Sequence, residues 1–416
     1  MPVAITHRAA SKFIYTVLCP AIIYSMLLLT YLNTLLIALL AVYWLIFSPK
    51  EFDISSRKTR LMLLFISIYL VGILGMIYTD NTSAGMATLR IQSAILIFPL
   101  IFGSISFIGP ELLKKLTSHV LIATTLACLA GLLYGAYNYL QTGDIEMLTG
   151  KNILLFHAFR PVLMGLFCLL SIIIAFEKIK TLSQKPKLLL YAVIVLMTLM
   201  IFLLSIRLII ACWLLVVLYF LLTTIKKNSH KLILAVIAFI AVIASAFTIP
   251  TVKKQWTEFF DNSSKSKISL DKDSSLGKNW GGKALRVAIW KCSTDILKMR
   301  WLIGVGTGDV QDQLQQAYEN RKFYFASRHN RYNAHNEYLQ VTLANGLPGL
   351  LALLTCIFYP LLQYRKLFTG NIYLLFLVIF SIACISESLL EVNKGIVWYS
   401  FFNSIFAFGY LKPANT

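Results

Sequence analysis

The chain has 416 residues, of which 58% are hydrophobic and only 13% charged, and its mean hydropathy of +0.74 excludes an ordinary soluble globular protein. It reads as an integral membrane protein. Its 38 Lys and Arg against 18 Asp and Glu matter through where they fall beside a membrane, and they do not read as a nucleic-acid surface.

A bilayer core takes roughly 20 apolar residues to cross. Runs of that kind fall near residues 13–29, 31–48, 61–79, 89–107, 116–139, 157–176, 188–205, 206–223, 232–250, 335–362, 371–387 and 396–411. They predict an all-α integral membrane protein of about twelve transmembrane helices. The first run follows Arg8 and Lys12 and continues into a second span, so no cleavable signal is expected. One set of loops carries Lys50, Arg57, Lys58 and Arg60, then Lys114 and Lys115, Lys178 to Lys187, Lys226 to Lys231, and Arg365 and Lys366. The alternating loops carry few cations, which places both termini in the cytoplasm. Six cysteines lie in apolar runs and Cys292 stands alone in the polar segment, a pattern of packing residues rather than of a disulfide framework.

Residues 251–334, between the ninth and tenth spans, form a long outward-facing loop with 15 Lys or Arg against 8 Asp or Glu. The positive-inside rule weakens for loops longer than about 60 residues, so this charge does not bar export. Leu285, Ile289, Cys292, Ile296 and Met299 recur at helical spacing. They predict an amphipathic surface helix with Trp280, Trp290 and Trp301 as interfacial anchors. A second, shorter helix is expected from about Val310 to Arg321. The chain thus divides into helices one to nine over 1–250, a loop domain over 251–334, and helices ten to twelve over 335–416.

Chemistry concentrates where the loop re-enters the membrane. His335 sits at that boundary beside Asn333, Asn336 and Glu337. An imidazole is suited to accept a proton near neutral pH, although a histidine there also serves as a helix cap or a bundle hydrogen bond. His329 reads as a solvated loop residue. Arg90 opens the fourth span, Arg160 lies just inside the sixth, and Arg207 interrupts an apolar sequence. Buried guanidiniums want anions, so one or two pairs with Glu387 or Glu391 are expected, and the remaining arginines suit an external diphosphate. Arg286, four residues before Trp290, joins this group or snorkels at the interface. Gly304 to Gly308 lacks the Lys-Ser or Lys-Thr of a phosphate loop and reads as a turn. Asp271-Lys272-Asp273 reads as solvated charge, and no His or Cys cluster has metal-ligand spacing.

These residues resemble the bacterial O-antigen ligases and the related O-antigen polymerases and protein O-oligosaccharyltransferases. The resemblance rests on Arg207 after Ser205, Arg286 with Trp290, the Gly304 to Gly308 turn, and Ala334-His335-Asn336-Glu337-Tyr338-Leu339 followed by Gly346 and Gly349. It covers roughly residues 190–360 in motifs. It implies a GT-C-like membrane glycosyltransferase of the bacterial inner membrane, with its active site facing the periplasm and with no metal or other cofactor. The donor would be a glycan on undecaprenyl diphosphate, the acceptor a sugar hydroxyl of lipid A-core or another glycan, and the anomeric centre would invert. Carried over, His335 is the general base, Arg207 and Arg286 hold the diphosphate, and Arg160 and Arg90 are further phosphate contacts. Asn336, Glu337, Tyr338 and Trp290 are expected to contact substrate. Ala344-Asn345 departs from the acidic residue that the family carries there. A polymerase of the same superfamily shares the donor half, while a transporter or flippase for a lipid-linked solute would also need buried arginines.

Overall fold

The computed structural model describes residues 2–29, 31–48, 50–155, 160–224 and 282–412, and the side chains of these except residues 2–11, 224, 328 and 329. The expected ninth span at 232–250, the start of the loop domain, Asp271 to Asp273 and Trp280 lie outside the described residues, as do the side chains of Arg328 and His329. The other expected spans fall on helices: α1 (Pro2–Leu27), α2 (Asn33–Phe47), α3 (Arg57–Gly75), α4 (Thr82–Gln92), α5 (Ala94–Ser104), α6 (Pro110–Thr142), α7 (Pro161–Ile179), α8 (Gln184–Leu204) and α9 (Arg207–Thr224). Beyond residue 281 come α10 (Gly282–Arg300), α11 (Val310–Asn320), α12 (Glu337–Leu362), the short α13 (Tyr364–Leu367), α14 (Asn371–Ala383) and α15 (Asn393–Gly409). Among the described residues no strand forms; Phe368 and Leu411 make an isolated bridge. Among the described residues six helical stretches are long and apolar enough to cross a membrane, at 57–78, 82–104, 110–142, 161–179, 184–204 and 337–362, and shorter apolar helices cover 12–27, 33–47, 207–223 and 371–383.

Contacts gather the chain into two units, each discontinuous in sequence. The first holds residues 1–51, 105–256 and 370–379. Its centre is α7, whose residues from Leu163 to Ala175 are buried without a break. A Cβ at Gly165 would stand 2.8 Å from Ile209, so the missing side chain lets α9 approach. Pro161 takes the first helical position of α7, where its lack of an N–H costs nothing.

The second unit holds residues 52–104, 257–369 and 380–416. Here α3 runs antiparallel to α12: Thr307 donates to Gly72 O at 2.7 Å beside Asn345, and Cys356 reaches Leu64 O at 3.1 Å farther along. α5 packs on α15 through Phe98 and Phe401, ring centroids 5.3 Å apart. The helix of the fourth expected run begins at Thr82, not 89, because Asn81 caps α4 by accepting from Ala84 N at 3.1 Å. The Thr-Ser-Ala-Gly start of α4 is too polar for a hydropathy window to register. Arg90 therefore lies in the last turn of α4, exposed, instead of opening the span.

In the same unit α10 and α11 pack around Ala288, Ile289, Cys292, Ile296, Leu314 and Tyr318. The periodicity that predicted α10 holds except at Met299, which is 84% exposed. Lys298, Met299 and Arg300 form a last turn that is exposed among the described residues. Arg321 clamps α10 by pairing with Asp295, whose carboxyl is held below the usual range chiefly by that guanidinium.

Candidate active site

The segment before α12 is irregular by necessity. Arg331 and His335 both adopt the left-handed conformation, at φ 44° and 45°, which a residue with a Cβ holds only when its surroundings fix it. Around His335 they do. Its N–H donates to Asn333 Oδ1 at 3.1 Å, and the next N–H, of Asn336, donates to Ser388 Oγ at 3.2 Å. On the other side Ala334 N–H donates to Gln340 Oε1 at 3.0 Å, while Trp290 Nε1 donates to Ala334 O at 3.0 Å. Trp290 is thus a strut for the histidine loop and not an interfacial anchor, whereas Trp301 is 55% exposed.

The His335 side chain is 25% exposed and stands between the Tyr332 ring, with centroids 5.7 Å apart, and the Glu387 carboxylate. His335 Nδ1 lies 3.9 Å from Glu387 Oε2. The other oxygen of Glu387 accepts from Arg286 Nη2 at 2.9 Å. Arg286 also donates through Nε to Ser386 O at 3.1 Å and through Nη1 to Gly282 O at 3.4 Å. Arginine, carboxylate and imidazole therefore form a line in the second unit. Two of the five guanidinium N–H groups of Arg286 are not used in these bonds.

Asn336, Glu337 and Tyr338, expected to meet substrate, are engaged by the protein. Asn336 caps α12, accepting from Leu339 N at 3.0 Å and donating to Ile385 O at 3.0 Å. Glu337 is fully buried and accepts from Leu390 N at 2.7 Å. Tyr338 donates to Ser381 O at 2.9 Å. These bonds tie the start of α12 to the 381–390 segment that carries Glu387.

α12 then breaks at Asn345 and Gly346, where φ of Gly346 is 59°. The Gly304 to Gly308 turn docks into the break: Val305 N donates to Leu343 O at 2.8 Å and Gly306 N to Ala344 O at 3.0 Å. A Cβ on Gly346 would stand 2.3 Å from Leu302 O. Gly346 is therefore a close approach at a kink. Beside it a cavity of about 110 Å³ is lined by Gln92, Gln311, Gln340, Asn345 and Glu391 together with apolar residues such as Ile68 and Val341. Burial pushes the Glu391 carboxyl up to about 7, against the hydrogen bond from Gln340. Gln340 links this cavity to Ala334 and hence to the histidine loop.

Residues 192–354 match the family model described as O-antigen ligase. Over these residues the chain is similar to the O-antigen ligases. No curated protein matches the chain. The apolar helices beside this match are those of a membrane protein. The matched stretch includes Arg207, Arg286 and His335, and leaves out Arg160, Arg90, Glu387 and Glu391.

Arg160 and Arg207 belong to the first unit. Arg160 is exposed at the N-cap of α7, and Arg207 opens α9 after Ser205, which is left-handed at φ 59°. Glu387 as the carboxylate facing the imidazole, and Gln92, Gln340 and Glu391 around the cavity, go beyond the sequence reading, which saw the two acids only as arginine partners. A signal was present: Glu387 and Glu391, four apart, are the only acids in residues 338–416.

Proposed function

We propose that the protein is an O-antigen ligase that transfers a glycan from undecaprenyl diphosphate to a sugar hydroxyl of lipid A-core, at the periplasmic face of the bacterial inner membrane. The observation that carries this reading is His335, locked in a left-handed loop with Glu387 facing Nδ1 and Arg286 behind the carboxylate. That leaves Nε2 to take the acceptor proton. As the hydroxyl oxygen bonds to the anomeric carbon, the bond from that carbon to the diphosphate breaks, the electron pair leaves with the diphosphate, and the configuration inverts. Glu387 steadies the imidazolium that forms, as a carboxylate does behind a catalytic histidine.

The unused N–H groups of Arg286 neutralise the departing diphosphate, and the family resemblance, not the packing of the two units, gives Arg207, Arg160 and Arg90 as further phosphate contacts. A bidentate fork suits that anion better than an ammonium does. Asn336, Glu337, Tyr338 and Trp290 act by holding His335 and Glu387, while the cavity at Gln92, Gln340 and Glu391 offers partners to acceptor hydroxyls. No metal enters the reaction, in keeping with the family resemblance. In this reading the chain spans the membrane about twelve times, both termini are cytoplasmic, and residues 251–334 form a periplasmic domain.

The glycans of a deletion strain test the assignment. Loss of a ligase leaves long polymer on undecaprenyl diphosphate and bare lipid A-core. Core bearing a single repeat would instead make the protein a polymerase, and lipid-linked glycan retained on the cytoplasmic side would make it a flippase.

A further inference from the structure

At the end of the α3–α12 pair away from His335 lies an open cleft of about 340 Å³. Arg57 and Arg60 line it together with Leu61, Leu64, Thr355 and Tyr359. The lining has two cations and no acid. Among the described residues neither guanidinium makes a hydrogen bond or an ion pair, although Arg57 is half-buried at the first turn of α3. The N-terminal end of that helix adds potential of the same sign. Below the arginines the wall turns apolar, with Leu61 buried and Leu64 half-buried.

Position along the helix pair is informative. From Glu337 to Tyr359 a helix rises roughly 30 Å, about the thickness of a bilayer's hydrocarbon core. With the histidine loop at one membrane surface, Arg57 and Arg60 stand at headgroup depth in the opposite leaflet. A partnerless pair of guanidiniums over an apolar wall is built for a phosphate ester that carries acyl chains.

We infer that this cleft binds an anionic glycerophospholipid, its phosphate between Arg57 and Arg60 and its acyl chains running down past Leu64. The site is separate from the proposed reaction. Tyr359, 45% exposed at the rim, offers a hydroxyl to the glycerol oxygens. A zwitterionic headgroup would bring an ammonium to a site without a carboxylate, so a net negative lipid is selected.

Purified full-length protein in neutral detergent is titrated with phosphatidylglycerol, phosphatidylcholine or inorganic phosphate, and the thermal unfolding midpoint is followed. Phosphatidylglycerol is expected to raise the midpoint saturably, with the other two giving no comparable rise. The double variant R57Q/R60Q is expected to bind phosphatidylglycerol at least 10-fold more weakly. L64W keeps both charges but fills the cleft and is expected to lose the rise as well, which carries the test if the double variant does not fold. K114Q/K115Q, changed outside the cleft, is expected to titrate like the wild type. Equal stabilisation by phosphatidylcholine, an equal rise with inorganic phosphate, or unchanged titration of R57Q/R60Q or L64W would overturn the site.

Discussion

Replacing Glu387 by Gln keeps the shape of the side chain and removes its charge, so it isolates what the carboxylate does for His335. In the proposed reaction the imidazole becomes a cation as the acceptor proton arrives. Two unit charges 3.9 Å apart attract by about 4 kcal/mol at an effective dielectric constant of about 20. Arg286 on the other carboxylate oxygen and the partial exposure of the pair reduce this to about 2 kcal/mol. Because the interaction exists only once the proton has moved, the loss falls on kcat, by about 30-fold, and leaves donor KM close to wild type. The assay is transfer by purified protein from an undecaprenyl-diphosphate glycan to lipid A-core, with unfolding measured in parallel, since the variant also leaves Arg286 without its ion pair. Wild-type kcat in a folded Glu387→Gln protein would refute the reasoning and return Glu387 to a purely structural pair with Arg286.

Three further outcomes follow from the same geometry. Trp290→Phe keeps an aromatic side chain, though a smaller one, and leaves Ala334 O without its donor, which is expected to cost about 1 to 2 kcal/mol of stability and several-fold in kcat, both read on the purified variant. Gly346→Ala forces a Cβ onto Leu302 O at positive φ and is expected to destabilise by about 2 to 4 kcal/mol, seen as a lower unfolding midpoint. For Glu391, burial favours the neutral acid in the folded protein and puts its pKa, at about 7, above the unfolded value of about 4.3. The folded state therefore binds the proton more tightly, and stability falls as pH rises from about 4 through 7, by about 3 kcal/mol in total. Glu391→Gln should flatten that slope in unfolding midpoints measured between pH 5 and 7.5.

Much of this was legible in the sequence because membrane helices announce themselves by run length, and His335 by its place between a polar loop and an apolar run. The start of α4 shows the limit of that signal: Thr82 to Gly85 are helical through an Asn81 cap, which no hydropathy sum detects. Met299 shows another, since periodicity gives a face but not how far the covering surface reaches. The pairing of Arg286 with Glu387 was open at the sequence level because the two are 101 residues apart, and Glu391 had equal claim. What decided between them is the tie of α12 to residues 381–390 through Asn336, Glu337 and Tyr338. Those same bonds turn three residues expected at the substrate into supports of the loop. Left-handed His335 was also invisible, because nothing in a histidine asks for positive φ until its neighbours' N–H groups have been assigned.

The most direct measurement is transfer by purified His335→Ala and His335→Gln protein, supplied with lipid-linked donor and lipid A-core, beside a donor-binding assay. The account predicts folded variants that still bind the donor but lose at least about 100-fold in kcat, the range expected for removal of a general base. Full transfer by either variant would contradict it.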